Sequence, residues 1–209
     1  MGLMAMRGIV ARCHACGTVA AMRNHYLGPW RIDIERRDGV ARILPDTELA
    51  RVAVAALEAA GAPQPASLGL TLSDDAELAE LNAEHMGKDG PTDVLSFPLL
   101  DPSEYPEHPR GAAPGADDGI EADEDEPEPF PMPPGQERQH LGDIIVSVER
   151  AIEQAEQGRG GQTGDVRWDA RDELRLLVTH GVLRVCGWDH AEPVEGAAMR
   201  AAEQGLLRG

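Results

Sequence analysis

The segment of this chain best suited to chemistry is His180-Gly-Val-Leu-Arg184-Val-Cys-Gly187-Trp-Asp189-His190. Residues four apart on a helix share a face, so ligands at 180 and 184 would grip one ion. Gly187 is suited to end such a helix and swing the chain back, which would bring His190 towards the same point. A turn and its returning corner can thus build a three-ligand site that leaves one coordination position for water. The middle position here is Arg184, and a protonated guanidinium has no lone pair to offer a metal. A unit charge ~5 Å from a divalent cation at an effective dielectric of ~20 is repelled by roughly 6–7 kcal/mol, a large penalty on metal affinity. Asp189, His140 and Asp143 are the candidates for a third ligand, and Asp189 is read first as orienting a histidine through a hydrogen bond rather than as a ligand.

The elements that must position these residues follow from periodicity. Trp30, Ile32 and Ile34 alternate with Arg31, Asp33 and Glu35 as a half-buried strand does. Asp46 or Thr47 is expected to cap a helix whose apolar face carries Leu49, Val52, Ala53, Ala56 and Leu57. Leu68, Leu70 and Leu72 mark a second strand, and Ser73 or Asp74 caps a helix running to the region of His85. Val94, Leu95 and Phe97 mark a third strand and Leu141 to Val148 a fourth, followed by a helix over 149–157. A glycine-rich loop at 158–164 leads to a long helix over 167–185 that carries His180, and a last helix runs from Pro193 to Leu207. This order predicts one α/β (α+β) domain over 30–208, a central mixed sheet of about four strands packed by helices, with the metal-site helix in the C-terminal half.

Residues 1–29 lack periodicity and are expected to be a disordered extension or a start-site artefact. Their Cys13-His-Ala-Cys16 pair has no second ligand pair and is a weak zinc signal. Three cysteines do not make a disulfide framework, and no apolar run approaches the ~20 residues that span a bilayer, so a cytoplasmic location is expected. Of the net charge of −18, about ten units fall between Asp101 and His140, where twelve acids face only Arg110 and Arg138. This Pro/Gly-rich stretch, 101–139, is expected to be a disordered insert, since it has too little apolar surface to offset its ordering entropy. The remaining chain is only mildly acidic, so an RNA-facing patch is compatible with the composition.

With these residues in place, the sequence resembles the YbeY endoribonucleases. The 180–190 segment resembles that family's HG-x-L-H-L-x-G-Y-D-H signature, Gly87 to Pro98 its GKD-x-PTDVLSFP segment, and Leu141 to Ser147 its LGDI-x-IS strand. Glu195, Met199 and Glu203 fall at spacings like those of its closing E-x3-M-x3-E helix. The resemblance implies one zinc ion held by histidines, of which His180 and His190 are present, its binding weakened by Arg184. It implies single-strand endoribonuclease activity in small-subunit (16S) rRNA maturation and ribosome quality control, with ribosomal RNA and the small subunit and its proteins as partners, and neither membrane nor DNA. Arg184 and Asp189 are the candidate catalytic residues; with zinc lost, Arg184 could clamp a phosphate instead. Lys88 and Ser96 are candidates to meet RNA, though a loop lysine and a strand serine are more often solvated or structural. Met86 stands where many relatives place an arginine.

Two other readings stand beside this one. Arg184 favours a site-degenerate module that binds ribosomal RNA or a ribosomal protein without cutting. Helical H-x3-H spacing is also shared by zinc peptidases, but Gly181 occupies the position after His180 where their glutamate would stand.

Overall fold

The computed structural model describes residues 22–106, 138–158, 168–189 and 192–207. The Cys13/Cys16 pair, His108, most of the acidic insert, most of the glycine-rich loop and His190 lie outside the described residues.

Strands β1 (Arg23–Leu27), β2 (Trp30–Arg36), β3 (Ala66–Ser73), β4 (Val94–Pro98) and β5 (Gln139–Ser147) form one mixed sheet in the order β1-β2-β3-β5-β4. The two outer pairs are antiparallel and the two inner ones parallel. Helices α1 (Asp46–Ala59), α2 (Asp75–Met86), α3 (Val148–Glu156), α4 (Ala170–Val185) and α5 (Pro193–Leu207) pack on this sheet and on one another. The expected α+β class with a mixed sheet is what the chain adopts. None of the described helices is long and apolar enough to cross a membrane.

The additional strand, β1, lies inside the segment assigned to the N-terminal extension. Its sequence, Arg-Asn-His-Tyr-Leu, alternates poorly because an edge strand is wet on much of its surface. It is fastened instead by side chains: Leu27 packs on the core, and Arg23 reaches Asp46 together with Arg36 and Arg42. The same contacts change how α1 starts. Asp46 does not cap it; Pro45 holds that position with no side-chain hydrogen bond, and Asp46, the first helical residue, serves as the acceptor for three arginines. For α2 the expected Asp74 cap is present, accepting from the Glu77 amide.

The flank of the acidic insert is also part of the fold. Asp101 caps a single 3-10 turn at Pro102–Glu104, and Tyr105 then buries its ring in the core. Average composition conceals such a residue, because one buried aromatic can anchor a segment that is otherwise polar.

One face of the sheet forms the main core. Ile34, Leu70 and Ile144 lie side by side on β2, β3 and β5, and the row continues into Ser96 on β4. Helix α4 lies against this row so closely that a Cβ on Gly181 would sit 3.0 Å from Val94 Cγ2 and 3.3 Å from Ile144 Cγ2. The glycine after His180 is therefore what lets the site-bearing turn settle on the sheet.

Candidate active site

Helix α4 is the scaffold of the site. Asp169 caps it in a reciprocal pair with Asp172, and buried Leu174, Leu177, Val178, Val182 and Val185 turn one side to the core. His180 lies at the border of that side, and Arg184 follows one turn later near the helix end. The Ser96 hydroxyl donates to the Gly181 carbonyl at 3.1 Å, tying β4 to this turn. Ser96, the candidate RNA contact, thus spends its proton on holding α4.

Helix α5 supplies what the sequence reading left without a role. Its Glu195, Met199 and Glu203 recur every four residues and share one face. Met199 is buried in the core, while both carboxylates are nearly buried and engaged. Glu203 Oε1 lies 2.8 Å from His180 Nδ1. Glu195 Oε1 accepts from the Asp189 amide at 2.7 Å, fixing the corner that follows α4. The spacing of the three residues was visible in the sequence; their targets were not.

Arg184 donates from Nη1 to Asp189 Oδ1 at 2.6 Å, a pair that stands well into solvent, with side-chain exposures of 36% and 51%. His180 and Arg184, expected on a common face, line neighbouring cavities. That of His180, about 300 Å³, is bordered by Asp93, Gln154, Glu173, Met199, Arg200 and Glu203 among others. That of Arg184, about 200 Å³, is bordered by Ser96, Pro98, Leu100, Pro102, Trp188 and Asp189. Lys88 is exposed in the loop after α2 and lines neither.

The expected alternatives for a third ligand are not brought to His180. Asp143 lies in the row Asp33, Gly69, Asp143, Phe97, whereas Ile144 beside it faces α4, so Asp143 points to the opposite side of the sheet. There its carboxylate occupies the space a Cβ on Gly69 would need. His140 joins it, with Nε2 3.4 Å from Asp143 Oδ1 and Nδ1 3.1 Å from Ser67 Oγ. The Asp143 hydrogen bond raises the His140 pKa above the ordinary imidazole value, against the lowering effect of burial. Asp189 is engaged by Arg184. Cys186, at the end of α4, is a buried thiol beside Tyr105 whose pKa burial pushes up to about 12, so it is an inert packing residue.

The family model for endoribonuclease YbeY matches residues 34–209. This chain belongs to the YbeY family. The curated Endoribonuclease YbeY of Symbiobacterium thermophilum is 38% identical over 162 residues, covering 76% of this chain and 82% of its own. That of Salinispora tropica is 38% identical over 176 residues, covering 84% of this chain and 93% of its own. A solution structure of a Thermotoga maritima protein aligns over 86% of this chain and 87% of its own at 20% identity and a TM-score of 0.46.

Against the YbeY signature, the arginine at 184 is the departure that bears on chemistry. The three-histidine zinc site implied by the resemblance does not fit these side chains, because the middle position is a cation already paired with Asp189. Among the described residues no three His, Cys, Asp or Glu side chains converge as a metal site. His180, with its second nitrogen on a carboxylate, has the arrangement common to ligating histidines. One well-held imidazole is what the described part of this YbeY-family site provides.

Proposed function

We propose that this protein is an endoribonuclease that cuts single-stranded RNA, acting in the cytoplasm in maturation of small-subunit rRNA and in ribosome quality control. The observation that carries the reading is the α4 turn itself: an imidazole clasped by a buried carboxylate, with a guanidinium one turn away at the rim of a neighbouring cavity. Family membership supplies the reaction class. Arg184 is read as the phosphate clamp, since a guanidinium matches phosphate oxygens in a bidentate manner. Asp189 holds that guanidinium at the cavity mouth until a phosphate competes for it. If zinc is taken up, His180 and His190 would hold it, more weakly than three histidines would.

The arginine favours a second reading, an RNA- or ribosome-binding module that does not cut. Incubating the full chain with a single-stranded small-subunit rRNA fragment, with and without a chelator, separates the two. Cleavage supports the nuclease, and its loss on chelation supports a metal requirement. Ribosome association with an intact fragment under both conditions would replace the nuclease by the binding module.

A further inference from the structure

A neutral imidazole has one N–H and one lone pair, and the choice between its nitrogens decides what it can do. The sequence alone does not show which nitrogen carries the proton. In the fold, Glu203 makes that choice from 23 residues away, with Oε1 2.8 Å from Nδ1. An ionised carboxylate only accepts hydrogen bonds, so the contact is favourable when Nδ1 carries the proton and repulsive when it carries the lone pair. The Glu203 side chain is 10% exposed, and the lower local dielectric strengthens both the attraction and the penalty for the wrong tautomer.

The geometry around Glu203 is built to keep it there. Met199, one turn earlier on α5, is 1% exposed and anchors the helix in the core. One turn earlier again, Glu195 takes the Asp189 amide. Helix α5 is thus held at three successive turns of one face, by the corner after α4, by the core and by His180. A carboxylate on a loop would be free to follow the imidazole; one on a pinned helix dictates where the ring must stand.

We propose that Glu203 is a positioning residue for His180, holding the ring as the Nδ1–H tautomer so that the lone pair stands on Nε2. A lone pair there is what either proton acceptance or metal ligation would require. This rests on reading His180 as part of the RNA-cleaving site, but the test does not depend on cleavage.

The full-length protein, labelled with 15N at histidine and treated with chelator, is examined by long-range 1H–15N correlation NMR at pH 8. The His180 signals are assigned by their loss in His180→Ala. Read on the neutral ring, with the pH raised further where the signals require it, the expected result is Nδ1 protonated in about tenfold or greater excess over the other tautomer, as a charge-assisted hydrogen bond would impose. Glu203→Gln, whose amide can donate as well as accept, is expected to remove most of that excess while the circular dichroism stays native. A neutral wild-type ring with its proton on Nε2 overturns the proposal, as does an undiminished Nδ1–H excess in folded Glu203→Gln. Should that variant fail to fold, the wild-type spectrum still decides. A wild type with the expected tautomer that leaves RNA intact would defeat the nuclease reading and leave this one standing.

Discussion

His180 and Arg184 are one helical turn apart, and the protein treats them in opposite ways. His180 is clasped from behind by a carboxylate on a core-anchored helix, while Arg184 is met by Asp189, a neighbour five residues along the chain at a corner open to water. A partly buried, tertiary contact fixes an orientation, because moving it means moving a helix. An exposed ion pair contributes roughly 0–1 kcal/mol and can be exchanged for another anion. The imidazole is therefore the fixed part of the site and the guanidinium the adjustable part.

The strongest test removes the anchor on the fixed side. Met199→Ala, at a fully packed position, is expected to cost about 2–5 kcal/mol in urea unfolding at neutral pH. A loss under 1 kcal/mol would mean that α5 is not pinned by its middle residue. His180→Ala should lower kcat/KM for a single-stranded rRNA fragment by about 100-fold or more with little change in melting temperature, the range typical for an essential acid, base or ligand. An undiminished rate would move the chemistry away from α4.

On the adjustable side, Arg184→His should tighten zinc binding by at least about tenfold in isothermal titration, since it removes a cation and adds a lone pair. Equal affinities for the two proteins would show that Arg184 turns away from the metal. Asp189→Asn is expected to cost less than about 1 kcal/mol of stability, as befits an exposed pair. A larger loss would erase the contrast with His180.

The far face of the sheet offers the smallest effect. His140 has a pKa raised above its ordinary 6.5, chiefly by the Asp143 hydrogen bond. A group whose folded pKa is raised contributes stability that is fully present below the unfolded value and fades as pH rises through the folded value. Stability should therefore decline slightly as pH climbs from about 6.5 through that raised value, and Asp143→Asn should flatten the decline. A slope of opposite sign in urea titrations would mean that the Asp143 contact does not favour the protonated ring.

Much of the fold could be read from residue order alone. Alternation in Trp30 to Glu35 and in Leu68 to Leu72 marked strands, since one face of each is dry; Asp74 marked a helix start, since its side chain caps the next turn. The limits of α5 were legible from its proline and its small apolar residues. Strand β1 and Tyr105 were not, because a half-wet edge strand and one aromatic in an acidic stretch carry no period. Of the site, the helical turn with His180 and Arg184 was legible from four-residue spacing and from the family signature.

What that spacing could not tell is which neighbour each side chain would meet. Local sequence determined that 180 and 184 stand one turn apart, that 195, 199 and 203 share a stripe, and that Gly181 leaves α4 without a side chain beside His180. Only the tertiary structure decided that the stripe meets His180 through Glu203 and Asp189 through Glu195, that Gly181 lies against Val94 and Ile144, and that His140 and Asp143 lie on the opposite side of the sheet. The reason is physical: spacing along a helix or strand is set by hydrogen bonds between near neighbours. Contacts between elements are set by which apolar faces bury one another, and that depends on the whole chain at once.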